Sequence, residues 1–423
     1  MKNALGYNNS YQFLLGVCSF LLCFSPKLVP VGLLLVFIGG IIGLINGKAK
    51  IVAPNKLMLA FIVLYLAYVI GYLFTNNPPV GLKYLEYKLS FVLIPLLFFI
   101  RPKEGITLFS VTVGLIGAIL LTTAISLVEG IQCYNEIDYF LECFTSSYLT
   151  NEHPTYFAVF LTLSMALSWY GWKNGFRFFT TYLVVLFNLI AMMMLVLGLS
   201  LSGISFALLV IGIMVLIIIN KRFGKWAALS TFLAAPLVLI FLFFSVPSLK
   251  SDISSSLSSF TKFAEDPDKF LEFDGTHNGD DVRLIMWTVT AKEIADHPMG
   301  VGTGNVDYHL SDRLRRYHQT DMARQDDRGQ ILYNPHNQYL QTGLEIGIIG
   351  MIILLFIVGF GIVKGCRTKN WLLLLLASCL AYNCLFESML QRQSGIVFFT
   401  FWLVILSIYS LKNEHTKISN EHE

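Results

Sequence analysis

The stretch NQYLQTGLEIGIIGMIILLFIVGFGIV, residues 337–363, decides the fold of this chain, and its only charged side chain is Glu345. Because a bilayer core of about 30 Å needs roughly 20 apolar residues in one helix, this stretch is predicted to cross a membrane. The whole chain has the same character: 55% of its 423 residues are hydrophobic and 13% are charged, whereas about 25% of the residues are charged in a typical soluble domain. The composition therefore excludes a soluble globular protein, a disordered chain and a fibrous one.

Twelve such stretches predict an all-α polytopic membrane protein with one large outer loop that contains short helices. The stretches are residues 11–25, 28–46, 57–75, 87–100, 107–129, 154–171, 178–199, 202–220, 226–247, 337–363, 371–389 and 394–411. The chain then divides into residues 1–247 with nine spans, the loop 248–336, residues 337–411 with three spans, and a tail, 412–423. A loop of this length is uncommon unless it has a function.

The Lys and Arg residues of the short loops predict the orientation. With the N-terminus inside, the inner segments hold 16 of them and the short outer segments hold 4. Cytoplasmic loops carry an excess of Lys and Arg, so both termini are predicted to be cytoplasmic. The net charge of +3 is too small and too scattered to suggest a nucleic-acid partner. Cys133 and Cys143 share an outer loop, where a disulfide is as consistent with the sequence as two free thiols.

The large loop contains three patterns. Asp266 and Asp268 resemble the metal-binding pair of some sugar transferases, but Pro267 between them favours a solvated turn. Residues 281–297 have helical spacing, which predicts a surface helix capped by Asp281. On that helix Arg283 and Trp287 share a face. Glycines at 300, 302 and 304 follow no strand, so they predict a tight turn near a ligand or the bilayer rather than a dinucleotide site.

The segment before the tenth span is the most informative. Asn334 is predicted to be the N-cap and Pro335 the first helical residue, which places His336 in the first turn. Tyr339 and Gly343 lie on the same face, and Gly343 with Gly347 would allow close helix packing. A helix N-terminus is positive, which favours a neutral imidazole and a nearby anion. A structural role is the commoner one for a single histidine, but its position favours a functional role here.

Several other ionisable groups lie at the predicted outer surface, where they mark a candidate site. His153 opens the sixth span and is followed by Tyr156, and Glu387 ends the eleventh span. We expect one outer vestibule to contain Lys88, His153, Arg283, His336, Glu387 and Arg392. For Lys88 and Arg392, extension of a long side chain to the membrane surface is an equally good explanation.

Together these segments resemble the superfamily of O-antigen ligases and O-antigen polymerases, the Wzy_C-type membrane glycosyltransferases. The segment from His336 to Glu345 and Gly347 is similar to the family signature at the end of the large loop. Arg283-x3-Trp287 with the glycines after it is similar to the loop motif, and Glu86-x-Lys88 to an early basic motif. His153-Pro-Thr-Tyr156 and Glu387-x2-Leu-x-Arg392 are similar to segments in one branch of the family. The resemblance covers residues from about 80 to 400.

The resemblance implies a GT-C-like fold and the activity of a bacterial inner-membrane enzyme with a periplasmic loop. A glycan would move from a polyprenyl pyrophosphate carrier to a sugar of lipid A–core or of another glycan, with membrane lipid around it. His336 would be the catalytic base, and Lys88, Arg283 and Arg392 would bind the donor pyrophosphate. His153, Tyr156, Trp287, Tyr339 and Glu387 would support them. One attack inverts the anomeric centre, and no cofactor or metal is expected because the leaving group is already activated.

One position departs from the family pattern. Members often carry an arginine, credited with binding the anionic donor, at the turn between the seventh and eighth spans. Here Gly203 takes its place in Ser200-Leu-Ser-Gly-Ile-Ser205. The positive charge for the donor would then come from Lys88, Arg283 and Arg392.

Two alternatives remain open from the sequence. A polymerase, whose acceptor is another carrier-linked repeat unit, has the same topology, although the His336 segment and the loop position favour the ligase. A secondary transporter for an anionic solute belongs to another class. It would need helices broken by Gly or Pro and charges near the membrane midplane, whereas the predicted charges lie mainly at the outer surface.

Overall fold

A computed structural model of the chain is mainly helical and describes residues 2–144, 153–234, 247–273, 275, 277–325, 331 and 333–409. The first half contains α1 (Lys2–Phe24), α2 (Val29–Ile45), α3 (Lys56–Tyr72), α4 (Pro78–Lys88), α5 (Ser90–Leu97), α6 (Leu108–Ile137), α7 (Phe140–Phe144), α8 (Pro154–Lys173), α9 (Thr181–Leu197) and α10 (Leu201–Phe223). A short two-stranded antiparallel sheet pairs β1 (Ala49–Ile51) with β2 (Ile100–Pro102).

The second half begins with the helical residues 225–234, labelled α11. The large loop then forms α12 (Pro247–Glu265), α13 (Pro267–Glu272), α14 (Gly279–Asp296) and α15 (Val306–Arg316). Three helices follow: α16 (Gln338–Thr368), α17 (Trp371–Asn383) and α18 (Gln393–Ile408).

The helices are apolar enough to confirm a membrane protein. Among the described residues, α6, α10 and α16 have the length and composition to cross a bilayer, and α2, α3, α9, α17 and α18 are shorter apolar helices. The count of twelve spans therefore remains a prediction. Most of the predicted ninth span, 226–247, the segment 145–152 and the tail 412–423 lie outside the described residues.

The helix α18 forms the centre of the bundle. Its residues from Ser394 to Ser407 are all buried, and Trp402 and Phe398 are among the largest side chains without exposed surface. It packs against α5, α17 and α1. On α9, by contrast, Leu183 and Leu189 are more than half exposed. A continuous exposed apolar face of this kind is stable against lipid rather than water.

The large loop has a second, smaller core that rests on α16. Ile285 and Val289 of α14 and Leu310 of α15 are fully buried in it, and Leu344 of α16 belongs to the same cluster. The loop is thus a folded unit that is continuous with the bundle. The helix predicted over residues 281–297 is confirmed as α14, and its position at the membrane surface stays a prediction. Asn278 is its N-cap, and Asp281 completes the capping box at the third helical position.

A break in α16 explains the three glycines of the loop. Ile346 and Gly347 leave the helical conformation, with φ of +79° at Gly347. The freed carbonyl oxygens of Leu344 and Glu345 accept hydrogen bonds from the backbone N–H groups of Val301 (2.8 Å) and Gly302 (3.1 Å). A Cβ on Gly347 would lie 2.6 Å from the backbone of Met299. The glycine turn therefore fills the helix break, and Gly347 permits contact with a loop rather than with another helix.

Other local predictions have mixed outcomes. The helix after His336 begins three residues later than predicted, with Asn337 as its N-cap. Asp266 caps α13 by accepting a hydrogen bond from the N–H of Lys269, so the Asp-Pro-Asp sequence is a helix start. Cys133 and Cys143, left open by the sequence, form a disulfide between α6 and α7.

Candidate active site

The turn that precedes α16 holds His336 in an uncommon conformation. Its φ is +46°, a value that costs energy for a residue with a side chain unless its surroundings compensate. The Asn334 side chain accepts a hydrogen bond from the N–H of His336 at 2.7 Å, which is an Asx turn. Asn337 begins the helix by accepting from the N–H of Leu340 at 3.1 Å. Two asparagines therefore fix the direction of the imidazole.

The turn is joined to the loop between α17 and α18. The Asn337 amide donates to the carbonyl oxygen of Leu385 at 3.2 Å, and the Gln338 N–H donates to that of Cys384 at 2.8 Å. The Gln338 side-chain oxygen accepts from the N–H of Leu390 at 2.5 Å. These three hydrogen bonds bring together residues that are about 50 positions apart in the chain. Gln338 is fully buried, so this connection is shielded from competing solvent.

Glu387, in that loop, is the centre of the site. One oxygen of its carboxylate, Oε2, lies 3.3 Å from His336 Nδ1 and 3.8 Å from His153 Nε2. Its other oxygen, Oε1, accepts from the N–H of Ser388 at 2.9 Å. A carboxylate only accepts hydrogen bonds, so this contact assigns the Nδ1 proton to His336. In the neutral imidazole, the Nε2 atom of His336 then carries the free lone pair, as in a base oriented by an acidic partner.

The electrostatics of the site keep this carboxylate ionised. Burial acts to raise the pKa of Glu387, but the hydrogen bond from His336 and the two imidazoles outweigh it, and the pKa lies below its ordinary value. Burial lowers the pKa of His153; Glu387 opposes this effect and the charge of Arg392 adds to it. His153 is therefore a neutral neighbour at pH 7, and Glu387 is the anion that orients His336.

The pKa of Glu387 leads to a prediction about pH. Because folding lowers this pKa, the ionised carboxylate stabilises the folded state fully above the ordinary value of 4.5. That stabilisation is lost as the pH falls through the lowered, folded-state pKa. We expect Glu387→Gln to reduce the free energy of unfolding in detergent at pH 7, with a difference from wild type that shrinks at acidic pH. A difference that stays constant down to pH 3 would contradict this account.

Tyr156 and Arg392 complete the near surroundings. The buried Tyr156 hydroxyl donates to the carbonyl oxygen of Ser388 at 2.9 Å, and its ring makes an edge contact with His153 at 5.9 Å between centroids. Gly395 allows this packing, because a Cβ there would lie 2.4 Å from the Tyr156 ring. Arg392 is the N-cap residue of α18 and is exposed, which leaves its guanidinium accessible at the mouth of the site.

Lys88 is fully buried, and it forms an ion pair with Glu345 that is separate from the Glu387 contacts. Its ammonium is 3.8 Å from the Glu345 carboxylate, and neither side chain has exposed surface. It also donates to Gln391 at 3.4 Å and lies over the rings of Tyr68 and Tyr84 at 4.5 and 4.9 Å from the centroids. Gln391 precedes Arg392, so the pair supports the loop that carries Arg392. Glu345 is thus paired with Lys88 and not with His336.

The remaining predicted residues are less closely connected. Arg283 forms an ion pair with Asp280 at 3.4 Å on α14. The ring nitrogen of Trp287 is buried and has no hydrogen-bond partner among the described residues. Tyr339 donates to the carbonyl oxygen of Ala381 at 3.1 Å, which joins α16 to α17. The structure thus brings His153, Tyr156, His336, Glu387 and Arg392 together, and the contacts of Arg283 are elsewhere.

Gly203 has a packing role. A Cβ at this position would lie 2.3 Å from that of Ala158 on α8. Ser200 caps α10 at the Gly203 N–H, 3.2 Å away, and donates to Thr155 at 3.2 Å. An arginine cannot enter this contact unless α8 and α10 separate, so the departure from the family pattern matches the local packing.

The sequence reasoning missed Gln338, Ser388 and Gln391, and it gave Asn334 only the role of a helix N-cap. All four are polar residues within a few positions of a predicted site residue, which is the signal that could have identified them. Each also makes a contact with a distant part of the chain: Gln338 with Leu390 and Asn334 with Ser388 are more than 50 residues apart, and Lys88 and Gln391 are 303 apart. Such pairings depend on the arrangement of the bundle, which a single sequence does not specify.

Comparison with known proteins supports the family assignment. The Wzy_C family model, described as O-antigen ligase, matches residues 186–355. No curated protein matches the chain significantly. The matched region contains Arg283, Trp287, His336 and Tyr339, and it ends within α16. The match confirms the resemblance seen in the sequence and, with the apolar helices, supports a membrane glycosyltransferase of the O-antigen ligase or polymerase type.

Proposed function

We propose that this chain is an O-antigen ligase of the bacterial inner membrane. It moves a glycan from a polyprenyl pyrophosphate carrier to a lipid A–core sugar at the periplasmic face, with both termini in the cytoplasm. The observation that carries the proposal is the contact between His336 Nδ1 and the ionised Glu387 carboxylate at the start of α16. This contact leaves a partly exposed imidazole nitrogen as a base next to an exposed arginine.

The reaction is a single displacement. An acceptor hydroxyl oxygen attacks the anomeric carbon, the bond from that carbon to the pyrophosphate oxygen breaks, and the hydroxyl proton goes to His336 Nε2. Glu387 stabilises the imidazolium that forms, as a buried acid does in other catalytic triads. One attack from the face opposite the leaving group inverts the anomeric centre. The step needs no metal or cofactor, because the carrier pyrophosphate is already a good leaving group.

The leaving pyrophosphate requires positive charge near the membrane surface. Arg392 is exposed beside His153, and a guanidinium can bind two phosphate oxygens at once. We assign it the direct contact, with Arg283 as a second cation from the loop. Lys88 is already paired with Glu345, so its contribution is to hold Gln391 and thereby the position of Arg392. His153, Tyr156, Trp287 and Tyr339 shape and support the site.

A transporter would use the break in α16 differently. Transporters bind their solute at the carbonyl groups and helix ends that a broken helix exposes. Here the carbonyl oxygens of Leu344 and Glu345 are bound by the backbone of Val301 and Gly302, and the charge of Glu345 is paired with Lys88. The break is therefore occupied by the chain itself, which favours the enzyme.

Expression in a host that lacks its own ligase tests the acceptor. We expect the wild-type chain to restore the ladder of O-antigen-bearing lipopolysaccharide on a gel. If the enzyme does not accept the core sugar of the host, the test is repeated with the genes that make the core of the source bacterium, and that result is decisive. A chain that is present in the membrane and instead lengthens carrier-linked repeat units would be a polymerase, and the ligase assignment would be wrong.

A further inference from the structure

A second cluster of ionisable side chains lies at the junction of α14 and α15, outside the proposed catalytic site. Glu293 and His297 are four residues apart at the end of α14, and His309 is on α15. Glu293 Oε1 lies 3.0 Å from His309 Nδ1 and 3.4 Å from His297 Nε2. One ligand atom from each residue lies within 4.8 Å of the others. These are three donors of the kinds that bind zinc.

The two distances from the Glu293 carboxylate fit a shared metal ion. Ligands at about 2.0–2.1 Å from a tetrahedral zinc ion lie roughly 3.3 Å from one another. The two distances from Glu293 Oε1 are close to this value, and the two imidazole rings are 5.0 Å apart between centroids at 79°. A set of two imidazoles and one carboxylate suits Zn²⁺ better than Mg²⁺ or Ca²⁺, which prefer oxygen ligands alone.

The surroundings orient the carboxylate for this role. Glu293 is buried, and its second oxygen, Oε2, forms an ion pair with the Arg313 guanidinium at 3.3 Å. Arg313 is held in turn by Asp296 at 2.6 Å. Such partners typically fix the ligands of a metal site, and here they leave Oε1 directed at the two histidines. His297 is 44% exposed, so a fourth position is open to water.

The position of the cluster suggests what a metal ion would do. The stretch from His297 to His309 contains the glycine turn whose N–H groups bind the break in α16. We propose that Glu293, His297 and His309 bind one Zn²⁺ ion that joins the two ends of this stretch. The metal stabilises the loop against α16 and takes no part in glycan transfer, so the proposal is independent of the function proposed above.

The test uses the full chain, purified in detergent with an affinity tag that contains no histidine and treated with a chelator. Titration with zinc chloride is expected to show one equivalent bound and a raised unfolding temperature. Cobalt chloride should give the visible absorption bands of tetrahedral Co²⁺. Replacing a residue that only supports a metal ligand typically lowers the affinity roughly 10–100-fold. His297→Asn and His309→Asn should each lower the affinity for zinc by more than this.

His318→Asn is the matched control, because His318 is an exposed histidine just after α15, and it should bind zinc like wild type. His297 is exposed, so its replacement preserves the packing. Without metal, His297→Asn should therefore unfold at the same temperature as the metal-free wild-type chain. Absence of stoichiometric zinc binding to the wild-type chain would overturn the proposal. So would zinc binding that His297→Asn and His309→Asn leave unchanged.

Discussion

Replacing His336 by asparagine is expected to lower the rate of glycan transfer by about 10²–10⁴-fold, the usual contribution of a general base. Asparagine tolerates the left-handed backbone at this position, where φ is +46°, and its amide can still donate to Glu387. It has no nitrogen that can accept the acceptor's proton. The measurement is the initial rate with saturating carrier-linked glycan, at equal amounts of folded protein.

His318→Asn is the control for this substitution. His318 also has a positive φ, of +60°, and lies on the exposed surface, so the exchange imposes the same backbone demand away from the site. We expect its transfer rate to equal that of wild type. If His336→Asn retained the wild-type rate, the base would have to be another group, and His336 would have a structural role only.

Replacing Lys88 by methionine is expected to destabilise the protein by about 3–5 kcal/mol, because it leaves a buried charge without its partner. The Glu345 carboxylate is fully buried and lies 3.8 Å from the Lys88 ammonium. Thermal unfolding in detergent measures the effect. The double variant Lys88→Met with Glu345→Leu should recover most of the loss, since replacing both members of a buried pair is often close to neutral.

Arg316→Gln is the reference for this pair, because Arg316 and Asp312 form an exposed ion pair worth about 1 kcal/mol or less. A Lys88→Met variant no less stable than Arg316→Gln would contradict the buried-pair account. The double variant also separates two roles of Lys88. If it is stable and transfers glycan at the wild-type rate, Lys88 only stabilises the fold. If it is stable and inactive, Lys88 is also needed to position Arg392 through Gln391.

Much of the helical architecture could be predicted from the sequence, because long apolar runs leave few alternatives in a membrane. The fourth predicted stretch, 87–100, shows the limit. The structure divides this region into α4 and α5 at Leu89, where the buried Lys88 pairs with Glu345. The break in α16 was also missed, since Gly347 adopts its conformation only because the glycine turn binds there.

For the candidate site, the sequence indicated which residues to consider but not which of them contact one another. Six residues were expected in one outer vestibule: Lys88, His153, Arg283, His336, Glu387 and Arg392. The structure brings four of them together, whereas Lys88 is paired with Glu345 and Arg283 with Asp280. That Glu387 bridges both histidines depends on the loop 384–392 being held by Asn337 and Gln338, which the sequence does not reveal. Of the three residues of the proposed zinc site, Glu293 and His297 lie on the predicted loop helix 281–297, where their four-residue spacing was the local signal. His309 lies on α15, and the sequence does not show that it lies close to them.

The most direct test of the central claim is the reaction itself, with the purified chain, a polyprenyl pyrophosphate-linked glycan and lipid A–core, without added metal. We predict that lipid A–core bearing the glycan and free polyprenyl pyrophosphate form in equal amounts, with inversion at the anomeric carbon. Glycan that crosses a vesicle membrane while both its carrier bond and the acceptor remain unchanged would contradict the account and identify a transporter.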